Sequence, residues 1–177
     1  MSKVYGDALF AAAKDLAAID QAYEEVTALR DIFAENMDLR KILNSPKISR
    51  EEKAQIIHTI FEHQVSDMLM GFLIAVVNKG RQAEFERIFS YFISTVKEYK
   101  GIGVASVVSA MPLTKSQEEE IEKKLLATTE YNQMEMNYSV DESLIGGMTI
   151  RIKDRVIDSS IKTKLYNIKK NLLNVQI

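Results

Sequence analysis

Few residues in this sequence have types and spacings suited to catalysis or metal binding. The 177-residue chain has no cysteine, no tryptophan and only two histidines. Thiolate nucleophiles, disulfides and thiolate-bound zinc are therefore excluded. His58 and His63 are five apart, with Glu62 between them. That spacing neither presents an i, i+4 pair of ligands on one helix face nor forms an HExxH motif. Both read as solvated surface histidines. Asp158-Ser159-Ser160 sets hydroxyls beside an acid, yet the segment has no histidine base and no GxSxG elbow. The same residues suit the cap of a helix, where Asp and Ser are preferred. Gly101-Ile102-Gly103 and Ile145-Gly146-Gly147 precede strands rather than helices, and no Walker-type glycine-lysine run occurs. These glycines read as tight turns, not as a phosphate cradle. Glu118, Glu119 and Glu120 suit the positive end of a helix. Met134 and Met136, at strand spacing, read as core.

Composition narrows the function classes further. The chain is 46% apolar and 27% charged, with 23 basic against 25 acidic residues and a net charge of -2. It can bury a sizeable core and is too apolar to be disordered. It lacks the basic balance that nucleic-acid binding requires. The most apolar stretch, Met68 to Val77, falls short of the about 20 residues needed to cross a bilayer. The N-terminus shows neither signal-peptide nor transit-peptide character. The expectation is a soluble, non-exported protein that meets a membrane only through a partner, with no metal and no cofactor.

The first hundred residues carry helical periodicity throughout. Val4, Ala8, Ala12 and Leu16 line one face of a first helix, with Tyr5 and Leu9 beside them. Tyr23, Val26, Leu29 and Phe33 mark a second helix, and Leu39, Ile42 and Leu43 a short third one that Ser45-Pro46 ends. Ser49 and Glu52 form a capping box opening a helix with Ala54, Ile57, Ile60 and Phe61 inward. Ser66 caps the next, whose apolar face is Leu69, Phe72, Leu73, Val76 and Val77, and Gly80 ends it. A long helix from about Arg81 to Lys100 carries Phe85, Ile88, Phe89, Phe92, Val96 and Tyr99.

After Gly101 the period changes. Val104 to Val108 reads as a strand, and Thr114 with Gln117 as a second capping box, followed by a helix burying Ile121 and Leu125. Met134, Met136, Tyr138 and Val140 alternate with polar residues, as do Met148, Ile150 and Ile152. Lys153-Asp154-Arg155 reads as a turn and Val156-Ile157 as a return strand. Ile161, Leu165, Ile168 and Leu172 stripe a final helix. The fold class is mainly α: a helical bundle over 1–103, then a small α/β domain over 104–177. One irregularity is the run of small residues in the first helix, Gly6, Ala8, Ala11, Ala12, Ala13, Ala17 and Ala18. It fits either an exposed groove that admits another helix or close packing inside the bundle.

An ordered set of residues carries a family resemblance along essentially the whole chain. Tyr5 with Ala8-Leu9 comes first. Leu43-Asn44-Ser45-Pro46 with Lys53, and Asn78-Lys79-Gly80-Arg81, follow. The C-terminal half adds Ser109-Ala110 with Pro112-Leu113-Thr114, Val140-Asp141, Ser143-Leu144-Ile145-Gly146-Gly147, and Val156-Ile157-Asp158 with Ser160-Ile161. In this the chain resembles the delta subunit of bacterial F-type ATP synthase, related to the mitochondrial oligomycin-sensitivity-conferring protein. One departure is Gly6, where that family often has alanine.

The resemblance implies a six-helix N-terminal domain and a non-catalytic stator role, coupling rotation to ATP synthesis driven by an ion gradient. It implies that the N-terminal domain binds the alpha subunits of the catalytic head and the C-terminal region meets the b subunits of the peripheral stalk. It places the protein peripherally at the cytoplasmic face of the bacterial cell membrane. The implied binding groove has Tyr5, Ala8, Leu9 and Ala12 on one wall and Leu69, Phe72, Leu73 and Val76 on the other. Some of these must also be plain core. The alternative is an adaptor that binds an amphipathic helix of an unrelated complex; a hydrolase using Ser159 or Ser160 is a distant third.

Overall fold

The computed structural model describes residues 2–174, and from Asn171 onward the backbone alone. The chain divides into two compact units, Met1–Tyr99 and Lys100–Ile177. The first holds α1 (Ser2–Asp15), α2 (Ile19–Glu35), α3 (Met37–Asn44), α4 (Arg50–Phe61), α5 (Asp67–Asn78) and α6 (Phe85–Tyr99).

Local chemistry sets most of the boundaries. Ser49 Oγ accepts from the Glu52 N–H at 3.2 Å while a Glu52 carboxylate oxygen accepts from the Ser49 N–H at 2.9 Å. This is the reciprocal capping box that opens α4. Ser45 is extended, as a residue before proline must be, and α3 stops there. Gly80 has φ +67°, and its N–H and that of Arg81 donate back to Val77 O and Val76 O at 2.8 and 3.0 Å. That left-handed turn closes α5. The cap of α5 also carries a long-range tie. Ser66 Oγ accepts from Leu69 N–H, while Glu25 Oε2, from α2, accepts from both the backbone and the hydroxyl of Ser66 at 3.0 and 2.8 Å.

The core of this unit is apolar and continuous. Val26, Leu29 and Phe33 of α2 meet Ile57 and Phe61 of α4, Leu69, Leu73, Val76 and Val77 of α5, and the inner face of α6. Phe33 sits among Phe61, Phe85 and Phe89, with ring centroids 6.1, 5.2 and 5.7 Å away.

Several expected faces are rotated or shortened. In α1 the buried positions are Gly6, Leu9 and Ala13, whereas Val4 and Leu16 are 68% and 63% exposed. The reason is the neighbour. A Cβ on Gly6 would stand 2.3 Å from Cδ1 of Tyr91 in α6, so the tyrosine ring occupies the notch that glycine leaves. The Tyr91 hydroxyl then donates to Asp7 at 2.9 Å. Ile42, Ile60 and Tyr99, expected inward, are exposed at the ends of their helices. The single long helix from Arg81 is instead a 3-10 turn, Gln82–Glu84, followed by α6.

The second unit is β1 (Ile102–Ser109), α7 (Lys115–Thr128), β2 (Gln133–Val140), β3 (Met148–Ile152), β4 (Arg155–Asp158) and α8 (Ile161–Asn174), with a 3-10 turn at Glu142–Leu144. The sheet order is β2-β1-β3-β4. β1 and β2 are parallel, which α7 permits as their crossover, and the remaining pairs are antiparallel. Pairing of Ala105 with Met136 and Ile152, and of Val107 with Tyr138 and Ile150, defines one apolar face. Ile121 and Leu125 of α7 pack on it.

That cover is incomplete. β2 is an edge strand, and its alternation buries Met134 and half-buries Met136 but leaves Tyr138 and Val140 exposed. Arg155 begins β4 rather than ending the turn. The α8 stripe faces solvent: Ile161, Leu165 and Ile168 are 42%, 52% and 55% exposed. Leu172, its last position, lies outside the residues whose side chains are described.

The cap of α8 settles the role of Asp158-Ser159-Ser160. Ser160 is buried, and its Oγ accepts from the Thr163 N–H at 3.2 Å. Asp158 accepts from the Ser160 N–H at 2.8 Å and from the Thr163 hydroxyl at 2.7 Å. The Ser160 backbone bond above all, with those to the hydroxyls, holds the Asp158 carboxyl down to about 2.

Two predictions follow from these contacts. Gly6→Ala should destabilise the protein by about 1–2 kcal/mol through overpacking against Tyr91, although alanine in a free helix would gain about 1 kcal/mol. Chemical denaturation reads the sign, and a gain would show that the ring yields. Asp158 is depressed in the folded state, so its contribution is present above its ordinary 3.8 and is lost as pH falls toward about 2. The stability of Asp158→Asn should therefore depend less steeply on pH over that window than that of the unsubstituted chain, in parallel acid titrations followed by circular dichroism. Superimposable slopes would show that the cap contributes nothing.

Candidate partner-binding site

The groove residues separate into two sets. Leu9 of α1 and Leu69, Leu73 and Val76 of α5 are fully buried, at 0–1% exposure, within the core of the first unit. Tyr5, Ala12 and Phe72 are partly buried, and Ala8 is exposed. A partner can therefore touch Ala8 and the rims of Tyr5, Ala12 and Phe72. The four buried side chains support that surface from beneath.

The small residues of α1 divide in the same way. Gly6 and Ala13 are taken up by packing inside the unit, whereas Ala8 and Ala11 face solvent; Ala17 lies beyond the end of the helix, in a left-handed turn at φ +52°. A helix surface of alanines is flat, and it lets another backbone approach without displacing side chains. Exposed Val4 extends it at the N-terminal end.

The residues that suggested catalysis or ligation are accounted for locally. His58 and His63 both lie on the surface and approach the same carboxylate, Glu62, at 3.8 and 4.0 Å. Among the described residues no group of three or more His, Asp or Glu side chains is placed to hold a metal ion. Gly147 has φ +78°, and a Cβ there would stand 2.5 Å from Ser159 O, so this glycine serves the turn into β3. Glu120 is paired with Lys124 at 2.7 Å, and that hydrogen bond lowers its carboxyl below the usual range. Among the described residues no helix is long and apolar enough to cross a membrane.

Two features carried no sequence signal, and a third was legible but faces the other way. Lys53 is only 6% exposed although it lies in the first turn of α4. The Gln82 side-chain oxygen is buried without a hydrogen-bond partner; its residue lines a cavity of about 30 Å³ with Arg40, Asn44 and Glu86. That volume admits one water molecule. A wide, open groove of about 680 Å³ runs along the outer face of α4, lined by Ile48, Gln55, Ile56, Thr59 and Ile60 among others. Its signal was present, since 48, 52, 56 and 60 recur at helical spacing. Periodicity predicts Ile60 on the core side, whereas it is exposed on this groove.

In the second unit the exposed apolar residues concentrate in three places. They are the α8 stripe, the open end of β2 with Tyr138 and Val140, and β4 with Val156 and Ile157. A lone exposed leucine means little. β2 and β4 are opposite edges of the sheet, so these are separate patches, and the α8 stripe is the one that gathers several apolar side chains on one face.

Comparison with known proteins identifies the family. The family model for the ATP synthase delta (OSCP) subunit matches residues 1–172. The chain is 49% identical over 177 residues to ATP synthase subunit delta of Lachnoclostridium phytofermentans, covering 100% of this chain and 97% of that one. It is 32% identical over 174 residues to the corresponding subunit of Trichormus variabilis, covering 98% and 94%. A chain in the cryo-EM structure of the Toxoplasma gondii mitochondrial ATP synthase hexamer shares the fold, with a TM-score of 0.77 and 21% identity over 98% of this chain and 97% of that one. With the family matched along both units and close relatives covered nearly end to end, the chain belongs to the ATP synthase delta (OSCP) subunit family.

Proposed function

We propose that this chain is the stator link of an F-type ATP synthase. It is a component of the peripheral stalk, and it holds the catalytic head against the torque of the rotor with no active site of its own. The observation that carries this reading is the family match over residues 1–172, which takes in both units rather than one. Family membership also sets aside the unrelated adaptor.

The division of labour follows the two units. Residues 1–103, whose helices end at Tyr99, supply one six-helix bundle that takes the N-terminal helices of the alpha subunits. Residues 104–177 form the second domain, which meets the C-terminal ends of the b subunits. Contact with the cytoplasmic face of the membrane is indirect, through those partners. The first site lies on α1 and α5, where Ala8 and the rims of Tyr5, Ala12 and Phe72 receive the apolar stripe of an incoming helix. Leu9, Leu69, Leu73 and Val76 hold that surface rigid. Helix-in-groove binding works in this manner, with a prepared apolar floor and a few anchors on the partner. The exposed apolar stripe of α8 supports the second site.

Ala8→Arg tests the first site. Arginine is a good helix former, so helicity should be retained while the bulky cation blocks the flat surface. The affinity for a synthetic alpha-subunit N-terminal peptide should fall by about tenfold or more, equivalent to about 1.4 kcal/mol. Unchanged affinity with unchanged circular dichroism would place the groove elsewhere. If the unsubstituted chain also retained neither alpha nor b subunits in a pull-down from membranes, the stator reading itself would fail.

A further inference from the structure

The last helix carries a pattern more specific than exposed hydrophobicity. Ile161, Leu165 and Ile168 recur at intervals of four and three, which is heptad spacing. If Ile161 and Ile168 take position d and Leu165 position a, then Lys162 and Lys169 fall at e and Lys164 at g. Lys170 falls at f, on the far side. All fourteen residues of α8 include four lysines and no acidic residue. The apolar seam is exposed along its length, and Lys164 and Lys169 are exposed on either side of it. Lys162 is engaged within the unit, donating to Ser143 Oγ at 3.3 Å.

Charge at e and g selects the partner of a coiled coil. A second copy of this helix would set lysine against lysine in either orientation, which disfavours self-association. The seam is also narrow. In this register Ile161, Leu165, Ile168 and Leu172 take the a and d positions, and the aromatic residue of the helix, Tyr166, falls at b, so the pattern makes a helix–helix seam rather than the broad apolar face of a helix lying in a membrane. What remains is a helix of opposite charge pattern.

We infer that α8 is one strand of a heterotypic coiled coil, whose other strand is a stalk helix with apolar a and d positions and Glu or Asp at e and g. This rests on the reading that the second unit meets the b subunits, and it adds the chemistry by which that contact is chosen. Two heptads are a short coiled coil, so the pairing should be weak alone and sensitive to ionic strength.

The test uses the full-length chain and purified b subunits, with affinity read by fluorescence anisotropy. Three variants are compared: Lys164→Glu/Lys169→Glu at the flanks, Lys170→Glu on the far side, and Leu165→Ser in the seam. Circular dichroism checks that each retains its helicity. The flank reversal should weaken binding by about tenfold, and raising salt from about 50 to about 300 mM should weaken the unsubstituted chain more than this variant. Lys170→Glu should change little. If Leu165→Ser weakens binding while the flank reversal does not, the charge-selected coiled coil is wrong and the stalk contact stands. If Lys170→Glu weakens binding as much as the flank reversal, the heptad register is wrong. If neither seam nor flank matters, α8 does not meet the stalk, and both readings fail at this helix. Binding of the unsubstituted chain, but not of the flank variant, to protein-free vesicles of equal parts phosphatidylglycerol and phosphatidylcholine would assign α8 to a membrane surface and overturn the inference.

Discussion

The first unit is organised around Phe33. Its ring stacks on Phe61, tilts against Phe85 and meets Phe89 edge-on, so one side chain on α2 is locked to α4 and α6 at once. Phe85 and Phe89 are themselves stacked at 5.5 Å. Each such pair adds about 0.5–1.5 kcal/mol beyond the area it buries. The larger effect is geometric. Rings packed at these distances leave little freedom for the helices that carry them, so the outer faces of the unit are held at fixed positions. A part that transmits force needs that stiffness more than it needs a cavity. The interior is filled with Leu, Ile, Val and Phe, and the polar groups that suggested chemistry are spent on caps, turns and surface pairs.

The second unit solves the same problem less completely. Its sheet buries one face under α7, but the end of β2, the short edge strand β4 and Ile161, Leu165 and Ile168 of α8 remain open. Small α/β units have little apolar area to bury, and this one leaves part of it for other chains. The contrast suits the proposed division of labour. One unit presents a rigid, nearly flat helix surface, and the other presents apolar seams flanked by charge. On that proposal, binding at both sites comes from covering apolar surface.

What the sequence revealed was local. Both capping boxes, the proline stop after α3, the left-handed Gly80 and the change from helical to strand period each depend on residues within a few positions of one another. What it concealed was tertiary. The inner face of α1 is turned because Tyr91, 85 residues away, fills the notch at Gly6. Nothing near Glu25 announces that it will hold the cap of α5. Periodicity identifies the stripe of α8 but says nothing about whether the second side of the contact belongs to the same chain. The candidate site was readable to the same degree. The apolar positions of α1 and α5 were visible, yet four of the eight residues expected in the groove, Leu9, Leu69, Leu73 and Val76, are buried in the core, because spacing distinguishes the two faces of a helix only when its neighbours are known.

The central claim is that the chain is a two-ended link that contributes attachment and no chemistry. It is tested most directly in membranes that lack the subunit, by adding back either the full-length chain or residues 1–105 and following ATP hydrolysis and ATP-driven ion pumping together. With one end missing, the mutual effective concentration of the two sites is lost. The full-length chain should restore pumping, whereas the truncated chain, its helicity intact, should leave hydrolysis running without pumping. Normal coupled pumping with the truncated chain would contradict the account.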